Sequence, residues 1–102
     1  MKSGWLGTGP KVREFEEKFR NYKRSKYAIA LNSCTAALHL SMLAIGIKQG
    51  DEILVSTMTF AATANAIIHA GGKPVFVDCE KDSMNIDPKD IEKKITSLSL
   101  IH

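Results

Sequence analysis

Two short stretches carry residue types that could hold a ligand. Asn32-Ser33-Cys34-Thr35-Ala36 lies between an apolar run and a segment rich in helix formers, where a strand would turn into a helix. Small residues there let the backbone close on a ligand, and unpaired N–H groups at a helix start can hold a phosphate. The hydroxyls of Ser33 and Thr35 would add donors. The same turn also suits a plain helix cap by Asn32 or Ser33, and its residue types leave both roles open. The second stretch, Met58-Thr59-Phe60-Ala61-Ala62-Thr63, sets one aromatic ring among small residues. Phe60 could cover a planar ligand by stacking or fill a core.

Other site patterns are missing. The sequence has no G-x-x-x-x-G-K-[ST] loop, and Gly4, Gly7 and Gly9 precede a helix without the strand that a dinucleotide fingerprint needs. His39 and His69 sit in apolar helical stretches and His102 is the last residue, so no metal site is expected. Cys34 and Cys79 fit neither a zinc pattern nor a C-x-x-C pair and are expected to stay reduced. Asp78, after an apolar run, could serve a site or cap a loop.

The elements that would position these turns follow from changes in hydrophobic period. Val12, Phe15, Phe19 and Tyr22 recur at spacings of three and four after Pro10, which predicts an amphipathic helix ending near Tyr22. Residues 27–31 form a short apolar run, expected as a strand buried on both faces. A helix follows over 35–45, with Gly46 as its stop. The unit then repeats as a strand near 52–55, a helix over 60–70 closed by Gly71-Gly72, and a strand near 74–78. A polar loop leads to a helix opening at Pro88, and Leu98 to Ile101 could begin a further strand. This alternation predicts an α/β fold with a parallel sheet, of few strands and with an unpaired edge.

At 102 residues, 44% hydrophobic and 25% charged, the chain has the composition of one soluble domain or a piece of one. Its net charge of +3 is spread over lysines and arginines interleaved with acids, the pattern of solvated helix faces rather than a nucleic-acid surface. No run approaches the roughly 18 apolar residues of a membrane span, and no signal peptide is visible, so neither nucleic acid nor membrane is expected as a partner and the expected location is cytoplasmic.

Taken together the motifs resemble a known family. Trp5-Leu6-Gly7-Thr8-Gly9-Pro10-Lys11-Val12 with Phe15-Glu16 is similar to the "W-x-x-x-G-P-x-V-x-x-F-E" opening of the DegT/StrS-type sugar aminotransferases. Asn32-Ser33-Cys34-Thr35-Ala36-Ala37-Leu38-His39 resembles their "N-S-G-T-A-A-L-H" segment, with Cys34 in place of the commoner glycine. Gly50-Asp51-Glu52-Ile53, the segment from Thr59 to Ala66, the segment from Gly72 to Asp78, and Asn85-Ile86-Asp87-Pro88 follow in order at fitting spacing.

The resemblance implies the parallel-sheet part of the large domain of an aspartate-aminotransferase-like, fold type I, pyridoxal-phosphate enzyme. It implies that Cys34, Thr35 and Ala36 hold the phosphate of pyridoxal phosphate and that Phe60 stacks on its ring. The implied reaction moves an amino group from an amino acid, with glutamate expected, to a nucleotide-linked keto sugar, in a homodimer. The family's Schiff-base lysine lies beyond residue 102, so residues 1–102 are expected to be the N-terminal part of the cofactor domain, with no catalytic residue and no activity alone. A sugar dehydratase of the same fold and a non-catalytic phosphate-binding module are the alternatives.

Overall fold

A computed structural model of the chain describes residues 7–97, 99 and 100. The lead-in residues up to Leu6, with the start of the first motif, lie outside the described residues, as do Leu98, Ile101 and His102. The chain divides into two compact units, residues 1–32 and 33–102.

In the first unit Pro10 occupies the opening position of helix α1 (Pro10–Lys23), where its missing N–H costs nothing. Glu14 pairs with both Lys11 and Lys18 at 2.8 Å, and Glu17 with Arg20 at 2.6 Å, which makes the mixed charges a solvated helix face. The two lysines hold the Glu14 carboxyl well below its usual range, at about 2. The helix ends on Arg24 in the left-handed region at φ 53°. Phe15 and Phe19 meet with ring centroids 5.8 Å apart, yet the apolar stripe remains largely exposed and no residue of α1 is buried.

The strand expected at 27–31 does not form. The segment is irregular, with Tyr27 and Ile29 each more than 70% exposed. A strand needs a neighbour to take its backbone groups, and this unit offers only side chains. The Ala30 N–H donates to Glu16 Oε1 at 2.8 Å, and the Ser25 hydroxyl donates to the Tyr27 carbonyl at 2.8 Å. An apolar run states that a segment is to be covered; it does not supply the cover.

The second unit holds helix α2 (Cys34–Ala44), strand β1 (Glu52–Ser56), helix α3 (Ala61–His69), strand β2 (Lys73–Val77), helix α4 (Pro88–Lys94) and strand β3 (Ser99–Leu100). The sheet order is β2-β1-β3 and both pairings are parallel, as the alternation predicts. Ser99 and Leu100 realise the further strand expected at the end of the chain. β1 buries Ile53 and Val55 and leaves their neighbours half-covered. These two pack with Ile47 and Ile67, and with the partly buried Met42 and Ala70.

Both expected helix stops are Schellman endings. After α2, the Gly46 N–H donates to the Leu43 carbonyl and the Ile47 N–H to the Met42 carbonyl, with Gly46 at φ +79°. After α3, the Gly71 N–H donates to Ile68 and the Gly72 N–H to Ile67, with Gly71 at φ +92°. Each stop turns the chain back into the core, delivering Ile47 in one case and β2 in the other.

At the end of β2, Lys94 Nζ donates to the Phe76 carbonyl at 2.7 Å and pairs with Asp90 at 2.9 Å. Asp90 also accepts the Asp78 N–H at 2.8 Å. Asp78 itself caps the loop, its Oδ1 accepting the Cys79 N–H. Asp87 caps α4 through the Lys89 N–H. Among the described residues no helix is long and apolar enough to cross a membrane.

Candidate functional site

Both sequence-predicted ligand turns stand at helix starts in the second unit. α2 opens on Ser33, an extended residue whose hydroxyl accepts the Ala36 N–H at 3.1 Å, while its carbonyl accepts the Ala37 N–H. Ser33 therefore is the cap that its residue type allows. The cap uses the Ala36 donor but not those before it. Among the described residues, the N–H groups of Cys34 and Thr35 and the Thr35 hydroxyl have no acceptor. Ser33, Cys34 and Thr35 are all exposed, and Ala36 is half-buried.

The donor set is thus two backbone N–H groups and a hydroxyl, with no acidic residue in the first turn of α2. That chemistry fits a phosphate: oriented N–H dipoles and the positive end of the helix both favour an anion. Ala36 contributes smallness rather than a donor, because its N–H is already engaged.

The second turn presents Phe60 as the residue before α3, extended at φ −70° and ψ 139°, without any side-chain cap. Its ring is 81% exposed. Of the two roles open to it, core packing is thereby set aside within this chain. The backbone beneath it is held on both sides. The Thr57 N–H donates to the Val77 carbonyl at 2.9 Å, the Met58 N–H to Ser56 Oγ at 3.2 Å, and the Thr63 N–H to the Phe60 carbonyl at 3.0 Å.

α2 and α3 pack against each other, so the two turns stand on neighbouring helices, but no hydrogen bond or ring contact joins Phe60 to residues 34–36. Two contacts escaped sequence reasoning. The dispersed histidines His39 and His69 meet edge to face, ring centroids 6.0 Å apart; their separation of thirty positions hides this until α2 lies on α3. Thr59 and Thr63 share a hydroxyl hydrogen bond at 3.1 Å, visible in advance only as an i, i+4 spacing. Cys34 and Cys79 are free thiols, and no group of three or more His, Cys, Asp or Glu among the described residues is placed to hold a metal ion.

The chain is 50% identical over 96 residues to the spore coat polysaccharide biosynthesis protein SpsC of Bacillus subtilis, covering 94% of this chain and 25% of SpsC. It spans about a quarter of the length of the curated relatives it matches. Among solved structures, Spr1654 from Streptococcus pneumoniae, known in PLP and PMP forms, superposes with a TM-score of 0.91 at 38% identity over 96% of this chain and 25% of its own. The GDP-4-keto-6-deoxy-D-mannose-3-dehydratase of E. coli, with bound hydrated PLP, gives a TM-score of 0.83 at 28% identity over 89% of this chain and 25% of its own. The fold is accordingly part of an aspartate-aminotransferase-like, fold type I large domain. A family model matches residues 1–99, and with that match the chain belongs to the DegT/DnrJ/EryC1/StrS aminotransferase family.

Proposed function

We propose that this chain is the N-terminal, cofactor-holding part of a pyridoxal-phosphate-dependent aminotransferase that moves an amino group from an amino acid, glutamate, to a nucleotide-linked keto sugar. Family membership and the PLP and PMP forms of Spr1654 support the cofactor. The observation that carries the reading is the unused donor set at the start of α2. The Cys34 and Thr35 N–H groups and the Thr35 hydroxyl would hold the cofactor phosphate, Ala36 would allow close approach, and the exposed Phe60 ring would lie against the pyridine. When bound, pyridoxal phosphate supplies an electron sink for reaction at the amino-bearing carbon. The residues of this chain bind and orient; the lysine that would anchor the cofactor is assigned to the rest of a longer polypeptide, working as a cytoplasmic homodimer.

A second reading, dehydration of the keto sugar, is favoured by the match to the E. coli dehydratase. The two diverge at the anchoring position: lysine supports transfer, histidine dehydration. If neither stands there, the remaining role is a non-catalytic binding module.

The test of the turn is Thr35→Asp in the full-length protein. A carboxylate beside a dianionic phosphate at a helix start should weaken cofactor binding by about 1–3 kcal/mol, measured by titrating pyridoxal phosphate into the apo variant with folding checked by circular dichroism. Phe60→Ala should lose about 1 kcal/mol of ring contact and leave the phosphate held. Unchanged affinity in Thr35→Asp would remove the turn from the site.

A further inference from the structure

The Phe60 ring is the least covered large apolar side chain on α2, α3 or the loops between them, at 81% exposure, and yet it rises from a pinned stretch of backbone. Helix α3 lacks the Ser, Thr, Asp or Asn that ordinarily caps a first turn. In its place the residue before Phe60 and the third residue of the helix are joined through their side chains: Thr59 Oγ1 and Thr63 Oγ1 lie 3.1 Å apart. A threonine inside a helix commonly turns its hydroxyl back to the carbonyl four residues earlier. Thr63 instead bonds the hydroxyl of Thr59. Both side chains are β-branched and stiff about χ1, so the bond fixes the backbone on either side of the Phe60 Cα.

Burial cannot explain this arrangement, because Phe60 is 81% exposed and, among the described residues, no ring touches it. We infer that the Thr59–Thr63 hydroxyl pair is a positioning device that sets the direction of the Phe60 ring for contact with the bound cofactor. This rests on the assignment of Phe60 to the pyridine ring made above. Thr59 and Thr63 act through Phe60, and neither is required to touch the cofactor.

Four variants in the full-length holoenzyme test this: Thr63→Val, which keeps shape and removes the hydroxyl; Thr63→Ser, which keeps the hydroxyl; Phe60→Ala; and Thr63→Val combined with Phe60→Ala. The readouts are pyridoxal-phosphate affinity and the induced circular dichroism of its visible band, a signal set by how the ring is held. Loss of one exposed hydrogen bond should weaken affinity about threefold and lower the dichroic band in Thr63→Val, with Thr63→Ser restoring both. In the Phe60→Ala background, Thr63→Val should change nothing further. An equal loss with and without the ring makes the hydroxyl pair merely structural and overturns the inference, as does an unchanged Thr63→Val protein. Phe60→Ala that leaves both readouts intact overturns the assignment of Phe60 itself, a distinguishable failure. If Thr63→Val does not fold, Thr59→Val removes the same bond from outside the helix and carries the same expectations.

Discussion

Of the glycines at 46, 50, 71 and 72, Gly72 has the least room for a side chain, and Gly72→Ala should destabilise the second unit for a reason that can be dissected. A Cβ at this position would stand 2.5 Å from Ile53 Cδ1 and 3.1 Å from Cγ2 of both Ile47 and Ile67. Carbon atoms pack at about 3.5–4.0 Å, so three contacts are short at once. All three isoleucines are less than 10% exposed. The Ile53 contact is with a chain end that can rotate, but the two Cγ2 atoms sit on β-branched carbons that move only with their backbones. The expected cost is that of overpacking a core, about 1–3 kcal/mol. Gly71→Ala is the control. Its new Cβ would meet only the Gln49 backbone N at 4.0 Å, but its φ of +92° is unfavourable for any L side chain. Ile53→Val separates the two causes, since it removes Cδ1 at a cost of about 0.5–1.5 kcal/mol alone. Combined with Gly72→Ala it should recover part of the loss, a favourable coupling of about 1 kcal/mol; combined with Gly71→Ala it should not. Urea unfolding of the full-length variants, with amide exchange in β1 and α3 as the local report, measures this. Strict additivity between Ile53→Val and Gly72→Ala would refute the packing argument.

Further outcomes concern charge and capping. Asp90 is held below its ordinary pKa first by the Asp78 N–H and then by Lys94, and Glu52 first by Lys73 and then by Thr96. With folded values below unfolded ones, both contribute stability that is complete above the ordinary carboxylate pKa of about 4 and disappears as pH falls through the folded values. Asp90→Asn should flatten the acid side of the stability profile, measured by urea midpoint against pH. Ser33→Ala should cost about 1 kcal/mol through its cap, seen as a lower urea midpoint, and it frees a third N–H, that of Ala36, at the start of α2.

Much of the helix framework was legible because its punctuation is local. Pro10 and Pro88 open α1 and α4 where a missing N–H is harmless, and Gly46 and Gly71 end α2 and α3 where a left-handed residue is needed. Such signals act within a few residues and do not depend on partners. The segment at 27–31 shows the opposite case, since its apolar residues announce burial while the surface that would bury them is not specified nearby. The same holds for Phe15, Phe19 and Tyr22. At the candidate site, the donors at residues 34 and 35 and the ring of Phe60 could be picked out by type. That Ser33 would take the Ala36 N–H, or that Thr63 would reach Thr59, depends on rotamers and helix phase that no residue type encodes.

The outer edge of β2 has a consequence for how the sheet can grow. The Lys73 N–H bonds the Asp51 carbonyl and the Val77 carbonyl accepts the Thr57 N–H, so odd-numbered residues of β2 face β1 and even-numbered ones face away. Of those, Pro74 has no N–H to offer, the Phe76 carbonyl is taken by Lys94, and the Asp78 N–H beyond the strand is taken by Asp90. A strand approaching from that side would find one donor, on Phe76, and one acceptor, on Pro74. Proline and a lysine laid across the edge are the means by which sheets refuse unwanted neighbours. β2 is therefore a finished boundary, and any widening of this sheet proceeds past β3.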